Sequence, residues 1–159
     1  MVDSREASGL RRSPFNILTD EEISFIKDEI RVIEADESIF RFNISGRRTS
    51  YSDKWDLIFI NGDVLPNTNS NHPRDLLSVR AVLAHEYYGH RQFRSTSTAI
   101  GSWNDEFRAS YNAAKNTPNL SGDDRHSLIL DALQWAKDAG VSIIYNSFIR
   151  RILYGDDYI

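Results

Sequence analysis

All of the strand-like sequence in this 159-residue chain falls between Ser38 and Leu65, and from Pro66 onward the chain reads as helix and loop. A chain ordered in that way does not interleave strands with helices. It predicts an α+β fold: an N-terminal helix, a small antiparallel sheet, then a helix carrying two histidines and three further helices.

The local patterns behind this expectation are specific. Thr19 followed by Asp20, Glu21 and Glu22 forms a capping box with acids in the first turn, and Ile23, Ile26, Ile30 and Ile33 recur at helical spacing, which predicts a helix over about 20–35. Residues 38–44 and 48–52 are β-like, with a Ser45-Gly46 turn between them. Trp55 to Ile60 is the strongest strand, and its apolar run suggests burial on both faces. Asp75 is expected to cap a helix reaching Arg94, and Ser102 one from Trp103 to Lys115 that Pro118 stops. Ser121 opens a helix closed by Gly140, and Ile143 to Tyr154 completes the set. Residues 1–16 read as a flexible leader and 17–159 as a single domain, a size that buries a core without staples. Trp55, Trp103 and Trp135 read as core.

Composition narrows the function. Without cysteine there is neither a disulfide nor a thiolate–metal site, so any metal must be held by His, Asp or Glu. The net charge of -4 argues against a nucleic-acid partner. The pairs Arg11-Arg12, Arg47-Arg48, Arg91/Arg94 and Arg150-Arg151 read as solvated faces or ion-pair partners rather than a phosphate track. No apolar run reaches the ~20 residues of a membrane span, and the N-terminus has no apolar signal core. The expectation is a soluble protein, cytoplasmic or delivered within a longer chain.

The chemistry concentrates in His85-Glu86-Tyr87-Tyr88-Gly89-His90. Two neutral imidazoles can hold Zn²⁺ with a position open for water, and a glutamate beside the first can take that water's proton. The usual His-Glu-x-x-His spacing stacks its histidines at i and i+4. Here they are i and i+5, which on a regular α-helix places them about 140° apart. A π-type bulge would restore the register, a helix ending near Gly89 would let His90 swing inward, and Glu86 with His90 at i,i+4 is a third arrangement.

Glu106, early in the next helix, is the best third ligand, with Asp105 or His72 as substitutes. Arg108 and Tyr111 are candidates to bind a substrate carbonyl or its oxyanion. Tyr87, Tyr88 and Phe93 read as core or groove lining, and His126 as surface.

The stretch Ala84-His-Glu-Tyr-Tyr-Gly-His90 resembles the active-site helix of zincin metallopeptidases, and Asp105-Glu106-Phe-Arg-Ala-Ser110 is similar to the glutamate helix of gluzincin-like members. The order from about Thr19 to Lys115 is similar to the same plan, with Trp55–Ile60 in the chain position of the edge strand that aligns a peptide. The resemblance extends to small bacterial metallopeptidase domains of polymorphic toxins and of phage or mobile elements. It implies Zn²⁺ held by His85, His90 and Glu106, Glu86 as base, a protein or peptide substrate, and an immunity or carrier protein as partner. The extra residue in the motif is the departure. Two other functions compete: a metal-independent ribonuclease toxin working through His/Glu pairs with Arg108 or Arg91, and an inactive zincin-like binding module.

Overall fold

The computed structural model describes residues 13–66, 71–94 and 101–155. Among the described residues, five α-helices and a three-stranded sheet make up an α+β fold. Helix α1 (Asp20–Val32) begins at the expected capping box, with Thr19 and Glu22 satisfying each other's backbone N–H groups. It buries Ile26 and Ile30, and Ile33 lies just beyond its end.

The sheet comprises β1 (Phe40–Phe42), β2 (Ser50–Ser52) and β3 (Leu57–Ile60) in the order β1-β3-β2. It is mixed rather than antiparallel. β2 and β3 form an antiparallel hairpin with Tyr51 opposite Ile58, whereas β1 runs parallel to β3 with Phe40 opposite Ile58. β3 therefore occupies the centre, not the edge. Its apolar run explains why: Ile58, Phe59 and Ile60 are all buried, which only a central strand covered on both faces allows. Trp55 does not belong to the strand. It lies in the preceding turn, 58% exposed, and is not a core residue. Trp103 and Trp135 are partly buried.

The second helix starts later than Asp75 suggests. Pro73–Asp75 is a single 3₁₀ turn, His72 Nδ1 accepts from the Arg74 N–H, and Asp75 is fully buried. Ser78 provides the cap instead, its hydroxyl accepting from the Ala81 N–H, so that α2 spans Val79–Ala84. The chain then continues helically as a π-helical stretch, His85–Arg91. Helices α3 (Trp103–Asn116) and α4 (Gly122–Asp138) start at Ser102 and Ser121, and Gly140 lies just after α4 at φ +73°. The last helix, α5 (Ser147–Tyr154), is shorter than expected because the Asn146 side chain caps it, and Ile144 before it is 95% exposed.

Ser13–Asn16, the described part of the expected leader, forms a turn against Gly62, where any Cβ would approach the Ser13 carbonyl to 2.6 Å. The rest of that leader, and the loop expected at Ser95 to Thr98, lie outside the described residues. Among the described residues no helix is long and apolar enough to cross a membrane.

The core joins Ile26, Ile30 and Ile33 to Ile58, Ile60, Leu83, Leu128 and Ile129. Ile30 is fully enclosed, so Ile30→Ala should lower stability by ~2–5 kcal/mol. Urea denaturation followed by circular dichroism measures this, and a loss under about 1 kcal/mol would mean the site collapses around the deletion.

Candidate metal centre

The π-helical stretch reconciles the five-residue spacing with a common site. Its bonds run i→i+5, as from the Gln92 N–H to the Tyr87 carbonyl at 3.1 Å, and a turn widened by one residue brings His90 round to the side of His85. The two rings meet edge to face with centroids 4.7 Å apart. The helix does not end at Gly89. Two tyrosines hold the stretch against the C-terminal end of α1: the Tyr88 hydroxyl donates to the Ile33 carbonyl at 2.6 Å, and the Tyr87 hydroxyl accepts from the Asp36 N–H at 3.1 Å.

Helix α3 supplies the third group. Glu106 Oε1 lies 3.0 Å from His85 Nε2 and 2.8 Å from His90 Nε2. Two imidazole nitrogens and one carboxylate oxygen thus converge within 4.8 Å of one another, a group that can hold a metal ion. Gly89 makes this possible by packing rather than by backbone freedom. A Cβ there would collide with the Ala109 carbonyl and come within 2.8 Å of the Ala109 Cα. Only a hydrogen at position 89 lets α3 approach closely enough for Glu106 to reach both rings.

Each histidine is also held from behind. His90 Nδ1 faces Asp105 Oδ2 at 3.6 Å, so Asp105 stands behind His90 while Glu106 meets both rings. His85 Nδ1 lies 2.8 Å from Ser110 Oγ, which donates to Asp131 Oδ2 at 2.6 Å. Carboxylates behind imidazoles are the usual outer shell of a histidine metal site. Glu86, 3% exposed, turns toward the sheet and accepts the Tyr51 N–H at 3.1 Å. That amide is on the outer edge of β2. The hairpin is tied to the same turn by Arg91, whose guanidinium meets Asp56 at 2.9 Å, and within the hairpin the Tyr51 hydroxyl donates to Asp56 at 2.9 Å. Burial and the Asp56 carboxylate push the Tyr51 hydroxyl up to about 12.

Charge at the centre is strongly organised. Burial opposes the Glu106 carboxylate, but hydrogen bonds and charge from His85 and His90 outweigh it and hold Glu106 far below the usual range. Burial likewise opposes a charged His90. Hydrogen bonds to Asp105 and Glu106, with the field of Glu86, win and raise it well above its ordinary value. Asp105 is lowered against its own burial by His90 and the Gly101 N–H.

The other sequence-derived candidates are not among the three groups that converge. Arg108 is two residues from Glu106 and so projects about 200° around α3 from it. The Tyr111 hydroxyl accepts from Asn146 Nδ2 at 2.9 Å, and its ring packs between Phe107 and Phe148. His72 pairs with Asp75 at 3.5 Å, and His126 is on α4, partly exposed. Ser110 and Asp131 are not among the candidates the sequence singles out. Their signals are nevertheless present in it: Ser110 is one turn after Glu106, and Asp131 interrupts the apolar face of Leu128, Ile129 and Ala132.

Comparison of the chain with protein families, with curated proteins and with solved structures finds no match.

This geometry has two measurable outcomes. Gly89→Ala should force α3 outward, reducing stability by ~1–3 kcal/mol and weakening metal binding, as read by denaturation and metal titration; undiminished affinity would show that the close approach is dispensable. A metal must also displace the His90 proton. Since His90 is raised, metal affinity should climb as pH rises through neutrality, with proton release on binding. Calorimetry in buffers of different ionisation enthalpy counts those protons, and a pH-independent affinity would contradict the assignment of His90 as a ligand.

Proposed function

We propose that the protein is a zinc-dependent hydrolase of peptide bonds. The observation that carries this reading is the convergence of His85 Nε2, His90 Nε2 and Glu106 Oε1, with the Glu86 carboxylate on the residue next to His85. The donor set suits zinc, a borderline ion that accepts imidazole and carboxylate and leaves a position open when held by three side chains. Bound there, zinc would supply Lewis acidity toward a substrate carbonyl and a lowered pKa for a water molecule.

The roles of the chain's own residues come from their places. His85, His90 and Glu106 hold the ion. Glu86 serves as general base; before a chain docks, its carboxylate is held by the Tyr51 amide. Because that amide lies on the outer edge of β2, an extended peptide laid along this edge would pass beside Glu86. The edge-strand role expected of Trp55–Ile60 thereby passes to β2. The resemblance to small bacterial toxin domains adds a biological setting to the proposal: a delivered domain with a protein target and an immunity or carrier protein as partner.

Purified protein should contain near-stoichiometric zinc by elemental analysis and should cleave unfolded protein or a peptide library. Glu86→Gln preserves the acceptor for the Tyr51 amide. It should lower kcat by ~10²–10⁴ while leaving zinc content unchanged. Full activity after exhaustive chelation would overturn the proposal. RNA cleavage that survives chelation would replace it with the nuclease reading, and zinc uptake without hydrolysis would leave a binding module.

A further inference from the structure

Helix α4 contributes no metal donor, yet it places an acid directly behind the centre. Asp131 is 1% exposed, on the face that buries Leu128, Ile129 and Ala132. A carboxylate there is costly to bury unless charge and hydrogen bonds offset it. The Ser110 hydroxyl donates to its Oδ2 at 2.6 Å, and Arg74 Nε stands 3.5 Å from its Oδ1. Arg74 is itself fixed, stacked at 3.7 Å on Trp135 and 3.6 Å from Asp138.

The order of protons in this buried chain is constrained. A serine hydroxyl has one hydrogen, and an ionised carboxylate can only accept. Ser110 gives its hydrogen to Asp131, so its oxygen is left to accept one from His85 Nδ1, 2.8 Å away. The ring then carries a proton on Nδ1, and its Nε2 faces Glu106 Oε1 at 3.0 Å, where either a second ring proton or a metal ion stands between the two. We propose that Asp131 is a positioning residue that acts through Ser110 to fix the His85 ring and its tautomer, presenting Nε2 to the metal centre. Ser110 is completely buried, so water does not substitute for the relay. The effect on metal affinity rests on the metal-centre reading; the proton order does not.

The test uses Ser110→Ala and Asp131→Asn. The first removes the relay. The second can turn an amide N–H toward the serine, reversing the chain so that Ser110 donates to Nδ1. With unchanged far-ultraviolet circular dichroism, each variant should weaken zinc binding ~10–100-fold in competition with a chromophoric chelator. In ¹⁵N NMR of the parent, His85 Nδ1 should be protonated with or without zinc, and this signature should be lost or diminished in both variants. A parent that binds zinc with variants within about twofold of it would overturn the proposal, as would an unprotonated His85 Nδ1 in the parent. A parent that takes up no zinc would overturn the hydrolase reading alone, and the NMR signature would still decide the relay. Should one variant fail to fold, the other and the parent ring signals suffice.

Discussion

Five positions separate His85 from His90, and only a widened helical turn brings both rings to one side. That turn breaks the i→i−4 ladder of α2 just where it meets α3, and a π-helical run is a poor use of backbone hydrogen bonding unless something rewards it. Here the compensation is visible on both flanks. Tyr87 and Tyr88 bind the stretch to the end of α1, and Arg91 binds its far end to the hairpin through Asp56. Gly89 then allows the backbone of α3 to lie against the bulge, and the reach of Glu106 depends on that contact.

Within this frame the centre gathers more charge than a folded protein of this size hides without cause. Glu86 and Asp131 are almost completely enclosed, and Asp105 and Glu106 are partly so. Imidazoles and an arginine meet three of them, His85 and His90 at Glu106, His90 at Asp105, Arg74 at Asp131, and the Tyr51 amide meets Glu86. Such an arrangement is weak evidence for stability, since well-packed apolar residues would do as well or better. It is the pattern of a site built to present donors in fixed directions.

Much of this is legible in the sequence, and the parts that are not have definite physical reasons. The caps at Thr19, Ser102 and Ser121 act within three residues, so their helices start where the sequence places them. The His85–His90–Glu106 grouping is legible in its residue types, whereas the five-residue spacing leaves its geometry open until the π-helical turn is seen. Sheet topology is not, because strands of three and four residues carry no information about which neighbour they pair with; the central place of β3 shows only in its unbroken apolar run. Asp75 and Ser78 offer rival caps for one helix, and the nearer to the apolar repeat prevails. Distance along the chain puts Tyr111 near the centre, whereas its position around α3 sets it among Phe107 and Phe148. The Ser110–Asp131 relay joins residues twenty-one positions apart, and only the packing of α3 on α4 brings them together.

The Tyr51 amide has one hydrogen, and Glu86 holds it. An incoming strand that paired with the outer edge of β2 at this residue would claim the same hydrogen, so edge occupancy and a tethered Glu86 exclude one another. On the proposed reading, docking would thus release the carboxylate at the moment a chain arrives, and until then the sheet holds it.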